Sequence, residues 1–345
     1  MMQFLKYLCI TLCLLIPLQL IGQESVNDSI SFSEAINSFL GLNQPKLGFM
    51  SQFATELSDN GNETRTEFTL RNLRFYFTGK SGDKFSYFFQ GNINGKYEFL
   101  DLRLTYNISK IFRVDFGRLK TPFGTEFLKN DAKLLFITRS MNALLIGPLR
   151  QYGVQLNTSL FEKRVQLTAG IFNGSESQPQ KISLVVGKIN TVPISEKING
   201  SPLELNIGGS SAYTKKKEDL PNYIYMDNYH LLYGTHARLS YGSYWLEGEY
   251  NAASSNNKKT IEGFACDLGR KFGKKWEAAV RFDWIERYSV LYYDIMNTPV
   301  QRKFLLGVNW YPLDNIKIQF DIERNETTKD INTFYLNFQY AINYE

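Results

Sequence analysis

The sequence predicts an all-β fold: a transmembrane up-and-down antiparallel β-barrel of about 16 strands, with a long third outer loop folding into the pore. Three observations carry this. The stretch Phe334 to Tyr344 sets Phe334, Leu336, Phe338, Tyr340, Ile342 and Tyr344 on one face and Asn337, Gln339, Ala341 and Asn343 on the other. One face suits lipid and the other water, over the roughly 9–11 residues a tilted strand needs to cross a bilayer. The same period of two recurs along the chain, and short and long connections alternate between its repeats.

Taken in order, Lys6 gives a basic start, Tyr7 to Leu20 an apolar core, and Ile21-Gly22 a small-residue site before Gln23-Glu24. Residues 1–22 thus read as a secretory signal peptide, its apolar run shorter than the roughly twenty residues of a spanning helix. Cys9 and Cys13 leave with it, and Cys266 remains as a lone thiol, which excludes an internal disulfide framework and a cysteine-rich metal site. Residues 23–45 form a periplasmic N-terminal segment, with partial helical periodicity through Ala35, Ile36, Phe39 and Leu40, and residues 46–345 the outer-membrane barrel. No later run of eighteen apolar residues occurs, so strands are the remaining way across. A slightly negative mean hydropathy fits strands with one wet face, and 15% aromatic residues fit interfacial girdles.

The clearest strands place charges on successive inward positions. Leu100, Leu102, Leu104 and Tyr106 alternate with Asp101, Arg103 and Thr105; Trp276, Ala278, Val280, Phe282 and Trp284 alternate with Glu277, Ala279, Arg281 and Asp283. Ile316, Ile318, Phe320 and Ile322 alternate with Lys317, Gln319, Asp321 and Glu323. Such charges are costly in a dry core and comfortable in a water-filled lumen. Short turns are expected at Ser81-Gly82-Asp83, Asn107 to Lys110, Phe161 to Lys163, Tyr241 to Ser243, Phe272 to Lys275 and Pro312 to Asn315. Longer outer connections are expected at Leu57 to Thr64, Leu119 to Arg150, Lys215 to Asn228, Ala253 to Lys259, Arg287 to Gln301 and Asn325 to Asn332. Two expectations break the alternation, a brief outer loop near Asn94-Gly95 and a long inner connection from Thr191 to Ser201.

Leu119 to Arg150 is far longer than the usual four to six residues, and its apolar content (Leu134, Leu135, Phe136, Ile137, Leu144, Leu145, Ile146) argues against disorder. From Arg113 to Arg150 it carries seven basic residues (Arg113, Arg118, Lys120, Lys129, Lys133, Arg139, Arg150) and three acidic ones (Asp115, Glu126, Asp131). Loss of Lys6 takes the chain from +5 to +4, so this segment alone equals the remaining excess. Cations at a constriction concentrate anions and select them over cations. The alternative is a solvated loop whose cations face water or lipopolysaccharide phosphates.

Four motifs resemble the phosphate-selective porins of the O and P type. Gly117-Arg118-Leu119-Lys120-Thr121-Pro122-Phe123-Gly124 closes a strand, where that family has Gly-x-x-Lys-x-Pro-Phe-Gly. Arg150-Gln151-Tyr152-Gly153-Val154-Gln155 opens the next, Gly170-Ile171-Phe172-Asn173-Gly174 ends another, and Gly307-Val308-Asn309-Trp310-Tyr311-Pro312 precedes the Ile316 to Ile322 strand. The resemblance implies a sixteen-stranded Gram-negative outer-membrane barrel, usually a homotrimer, that passes anions. Where the family often has Gly before the strand-opening Arg, this chain has Leu149, and it ends Tyr344-Glu345 instead of on the aromatic residue that the barrel-assembly machinery reads. Lys120 matches the strand-end motif. Arg74, Arg103, Arg113, Arg238 and Arg281 are taken as lumen-lining, yet Asp101, Glu247, Glu249, Asp283, Asp321 and Glu323 share lumen parity, so the sequence leaves phosphate specificity open.

The expected function is passive diffusion of small anions, phosphate-like, or of small polar solutes past Arg118, Lys120, Lys129, Lys133, Arg139 and Arg150, with lipid and lipopolysaccharide as surroundings. The alternative is a non-conducting structural or adhesive barrel. No enzyme, metal or cofactor is expected: Ser240 lies four residues beyond His236 on the same strand face, too far along an extended strand to bond, and Glu247 and Glu249 read as lumen charge. The small basic excess and the compartment argue against nucleic acid.

Overall fold

The computed structural model describes residues 43–59, 63–95, 97–173, 184–214, 231–255, 258–287, 300–327 and 331–343. The signal peptide expected at 1–22, most of the segment expected at 23–45, and the connections expected at Lys215 to Asn228 and within Arg287 to Gln301 lie outside the described residues. Sixteen antiparallel strands close one barrel in chain order. They are β1 (Asn43–Asp59), β2 (Thr64–Ser81), β3 (Phe85–Asn92), β4 (Glu98–Asn107), β5 (Phe112–Lys120), β6 (Arg150–Leu160), β7 (Val165–Phe172) and β8 (Leu184–Ile198). Then come β9 (Ser201–Thr214), β10 (Leu231–Tyr241), β11 (Tyr244–Ser255), β12 (Lys258–Phe272), β13 (Trp276–Arg287), β14 (Val300–Leu313), β15 (Ile316–Asn325) and β16 (Ile331–Ile342). The seam pairs β1 with β16 in a continuous register that includes Phe53 with Phe338 and Leu57 with Phe334, so no sheet edge is left in the bilayer.

Alternation is what makes these segments strands. On β16 Phe334, Leu336, Phe338 and Ile342 are exposed on the outer wall, while Thr333, Tyr335, Asn337 and Gln339 are buried inward. At the turn ends of β13 and β14 Trp276 and Trp310 stack with ring centroids 5.5 Å apart, the cross-strand aromatic pairing that anchors a barrel in the interface. The six short turns expected from the sequence all lie between strands, and the outer connection at Asn94-Gly95 is brief.

The long inner connection expected at Thr191 to Ser201 does not exist. β8 runs on to Ile198, and the hairpin closes through Asn199 and Gly200 alone, both at positive φ (52° and 77°). Asn-Gly is the strongest short hairpin signal, because both central residues of such a turn need the left-handed region. Pro193, which has no amide N–H, breaks the alternation where the register slips between Thr191 and Ile194, and this hid the strand.

The family's glycine position before Arg150 also finds a physical account. Leu149 stands at φ 48°, and its carbonyl accepts hydrogen bonds from the Thr121 amide (2.9 Å) and hydroxyl (2.8 Å), tying the two ends of the loop. A leucine there carries about 1–2 kcal/mol of backbone strain that glycine lacks. Leu149→Gly is therefore expected to leave the barrel folded, with an unfolding midpoint no lower than that of the parent in urea; a clear drop would mean that Leu149's packing outweighs the strain.

Candidate pore constriction

The β5–β6 connection enters the lumen and attaches mainly to β11 to β16, with further bonds from Lys188 of β8 to the Gly124 carbonyl, from the Gly124 amide to the Ser210 hydroxyl of β9 (3.1 Å), and from Arg74 of β2 to Asp131. Ahead of it, within β5, stands Gly117 (φ 125°), where a Cβ would meet the Leu102 carbonyl oxygen at 2.0 Å, so only glycine allows β5 to lie this close to β4. The connection forms a 3-10 turn at Asp131–Lys133 and a short helix, α1 (Met141–Leu145), capped by the Ser140 hydroxyl accepting from the Ala143 amide at 3.1 Å. Two apolar contacts seat it: Phe136 with Trp245, Ala279 and Leu305, and Met141 and Ile146 within a cluster that includes Leu232, Ala253, Ile261 and Ile285.

Such a loop must satisfy its backbone without a ladder, and the wall provides the partners. Glu249 accepts from the amides of Thr125 and Glu126 (both 2.9 Å), Asp321 from Ile137 (2.6 Å) and Asp283 from Met141 (2.7 Å). Lys317 donates to the carbonyls of Ala132 (2.8 Å) and Leu134 (2.9 Å), Asn309 to Leu135 (2.9 Å) and Gln339 to Ala132 (3.2 Å). Glu249 of β11, Asp283 of β13, and Lys317 and Asp321 of β15 are thus loop anchors.

Arg281 is the centre of this clamp. Its guanidinium, 3% exposed, donates bidentately to Asp267 (2.7 Å twice), reaches Glu126 of the loop at 2.8 Å, and lies 4.5 Å above the Phe136 ring. Glu126 also accepts from the Ser140 hydroxyl at 2.5 Å. Burial works to raise the Glu126 carboxyl's pKa, but Arg281, the Ser140 hydroxyl, Lys129 and Arg139 together outweigh it and hold it below the ordinary value. Asp131 behaves alike: burial raises it, while Arg139 and Arg74, which both pair with it, prevail and lower it.

The opposite side of the lumen stays open as two contiguous cavities, both bounded by Lys120, Leu128 and Gln155. One, of about 260 Å³, lies against β2 to β6 and is faced by Arg74, Arg103, Arg118, Lys120 and Arg150 with Asp101 and Asp131. The other, of about 510 Å³, lies against β6 to β11 and adds Lys129, Lys188 and Arg238 with Glu247. Together they carry eight basic side chains and three carboxylates.

The sequence-derived residues separate into those on this passage and those off it. Arg118, Lys120, Lys129, Arg150, Arg74, Arg103 and Arg238 line it. Lys120 donates to the carbonyls of Phe127 and Lys129 (both 2.9 Å), and Lys120, Arg139 and Arg150 surround the Phe127 ring at 5.4 to 5.8 Å. Arg150 is paired with Asp101 (3.0 Å), and Lys129 and Arg238 share Glu247 (2.6 and 2.5 Å). Arg139 is turned into the loop, donating to the Glu126 and Lys129 carbonyls and to Asp131; Lys133 is exposed on the 3-10 turn; Arg113 pairs with Asp115 at 3.3 Å. These three and the buried Arg281 line neither cavity. Among the described residues, Arg103, Lys120 and Lys188 have no carboxylate within ion-pair distance. Lys188 was not singled out from the sequence, although its inward parity on β8, between Val186 and Asn190, marks it. His236 bonds Asn190 at 2.9 Å, and Glu247 and Glu249 are engaged with cations and the loop.

No curated protein matches the sequence. Among solved structures, an anion-selective porin from Comamonas acidovorans superposes with TM-score 0.61 at 10% identity, over 87% of this chain and 99% of that one. OmpF of Salmonella typhi gives TM-score 0.61 at 8% identity over 87% and 98%, and OmpT of Vibrio cholerae in its trimer form gives 0.57 at 11% over 87% and 100%. At these identities the likeness is one of fold, the closed porin barrel. Residues 46–209, which hold the greater part of β1 to β9 and the whole inserted loop, match the family described as "Phosphate-selective porin O and P".

Proposed function

We propose that the barrel is a passive channel for small anions, with the passage between the anchored loop and β2 to β10 as its filter. One observation carries this: lumen charge is segregated, with acidic anchors under the loop and an eight-to-three basic excess along the open side. An anion entering meets Arg103, Lys120 and Lys188, which among the described residues have no carboxylate within ion-pair distance, and the three pass it on without any bond being made or broken. Arg118, Lys129, Arg150, Arg74 and Arg238 add to the field, and Lys133, Arg139, Arg113 and Arg281 shape or hold the loop. The packing of the loop's apolar residues on the wall, beside cavities that stay open, supports a narrowed channel over the plugged structural barrel. Export through residues 1–22 and assembly as a homotrimer belong to the same reading, the latter in keeping with the trimeric form of the Vibrio cholerae OmpT barrel.

The test is the reversal potential of the purified protein in a planar bilayer under a potassium chloride gradient. Anion selectivity is expected. Arg103→Gln, Lys120→Gln and Lys188→Gln combined remove three cations that form no direct ion pair among the described residues, and should lower the anion-to-cation permeability ratio about threefold or more. Cation selectivity in the parent protein would reject the filter, and an unmoved ratio in the triple variant would reject these three residues.

A further inference from the structure

The two cavities differ in chemistry as well as size, and a bare inorganic anion uses only one of them. The smaller has the five cations. The larger presents, between Lys188 and Arg238, a run of uncharged hydrogen-bonding side chains: Asn157, Gln166, Thr168, Asn190 and Asn206, with Gln155 at the boundary. Strand register places them in two adjoining rows. Asn157, Thr168 and Lys188 are directly opposite one another across β6, β7 and β8, and Gln166, Asn190 and His236 follow one row away, with Gly208 between the last two.

This is not the general condition of amides in the lumen. On the loop side they are engaged: Asn309, Gln319 and Gln339 donate to loop carbonyls, and Asn337 to Gln319. On β6 to β9 Gln151, at the mouth of the loop, donates to the Pro148 carbonyl (3.1 Å), whereas Asn157, Gln166, Asn190 and Asn206 have no bond to the loop among the described residues and face the cavity. Asn190 accepts from His236 Nε2 through its carbonyl oxygen at 2.9 Å, which leaves the Asn190 NH2 group as a donor and makes the His236 Nδ1 atom an acceptor. Asn157 is oriented by Asp115, to which its NH2 donates at 2.9 Å, and its carbonyl oxygen takes the Thr168 hydroxyl at 3.1 Å.

Amides with one donor and one acceptor in a fixed fork suit vicinal hydroxyl groups, and about 510 Å³ falls in the range of roughly 300–1,000 Å³ typical of small-molecule pockets. Resting on the anion-channel reading above, we propose that the preferred solute is a phosphorylated sugar. Its phosphate passes among Arg103, Lys120 and Arg150, and its hydroxyls exchange water for Asn157, Gln166, Asn190 and Asn206. A site built for hydroxyl groups discriminates because a solute lacking them leaves those side chains unsatisfied.

Block of single-channel current by inorganic phosphate, glucose and glucose 6-phosphate, each added to the same purified protein in the same chloride salt, decides this. Half-block by glucose 6-phosphate is expected at a concentration about tenfold or more below that of either other solute, since it alone engages both cavities. The combined variant Gln166→Ala, Asn190→Ala and Asn206→Ala should bring glucose 6-phosphate to the level of inorganic phosphate. Equal block by glucose 6-phosphate and phosphate in the parent protein, with an anion-selective reversal potential, would overturn the sugar-phosphate assignment and keep the channel reading. A cation-selective reversal potential would overturn both. The comparison in the parent protein is decisive even where the triple variant fails to fold.

Discussion

Replacing Arg281 with methionine is expected to destabilise the barrel by about 3–5 kcal/mol, the usual cost of removing one partner from a buried ion network. The volume of the side chain is largely kept, but Glu126 and Asp267 are left buried beside one another with no shared cation, and the Phe136 ring loses the charge above it. Urea unfolding followed by heat-modifiable gel mobility measures the loss. Adding Glu126→Gln and Asp267→Asn removes the stranded charges and should return more than half of it. An unchanged midpoint in the single variant would refute the clamp, as would a triple variant no better than the single one. In the parent protein Glu126 and Asp131 titrate below their ordinary values, so the stabilisation they give is complete above the unfolded carboxylate range, roughly 4, and is lost as the pH falls through their lowered folded values. Channel noise from loop release should accordingly be flat near neutral pH and rise only on strong acidification.

The second large effect is expected at the anchors. Glu249→Ala, Asp283→Ala and Asp321→Ala together orphan four loop amides, those of Thr125, Glu126, Ile137 and Met141. Each unsatisfied amide costs about 1–3 kcal/mol, and within one loop the losses do not simply add. The loop should leave the wall, and single-channel steps should grow by on the order of twofold, with added flicker, because a narrowing element is no longer fixed. A step size equal to the parent's would mean that the apolar seat of Phe136, Met141 and Ile146 holds the loop without the carboxylates.

The two experiments bear on different parts of what the sequence disclosed. Strand alternation was legible because a period of two is imposed by the pleat itself: Phe334 to Ile342 and Trp276 to Trp284 report their faces with no knowledge of neighbours. The inserted loop was legible from length and apolar content. The Asn199-Gly200 hairpin was legible in principle and was missed because Pro193 broke the alternation ahead of it. The roles of Asp283, Asp321 and Glu249 were not legible. Parity says that a carboxylate faces inward, but whether it meets water or a loop amide depends on contacts over a hundred residues away in the chain, such as Met141 with Asp283. For the same reason Arg139 and Arg103 read alike as cations, although one is turned into the loop and the other stands free above Phe88 at 5.2 Å.

Anchoring the loop mainly to one side divides the barrel into halves with unequal freedom to change. An inward substitution on β13 or β15 has to keep a loop amide or carbonyl satisfied, so that half is tied to the loop's sequence and drifts only with it. On β6 to β9 the inward Gln166, Asn190 and Asn206 have no loop partner among the described residues and, on the proposal above, answer chiefly to the solute and to water. Inherited variation can therefore retune what passes while the scaffold is preserved, and descendants of one such barrel could come to serve different nutrients by exchanging a few side chains on one wall.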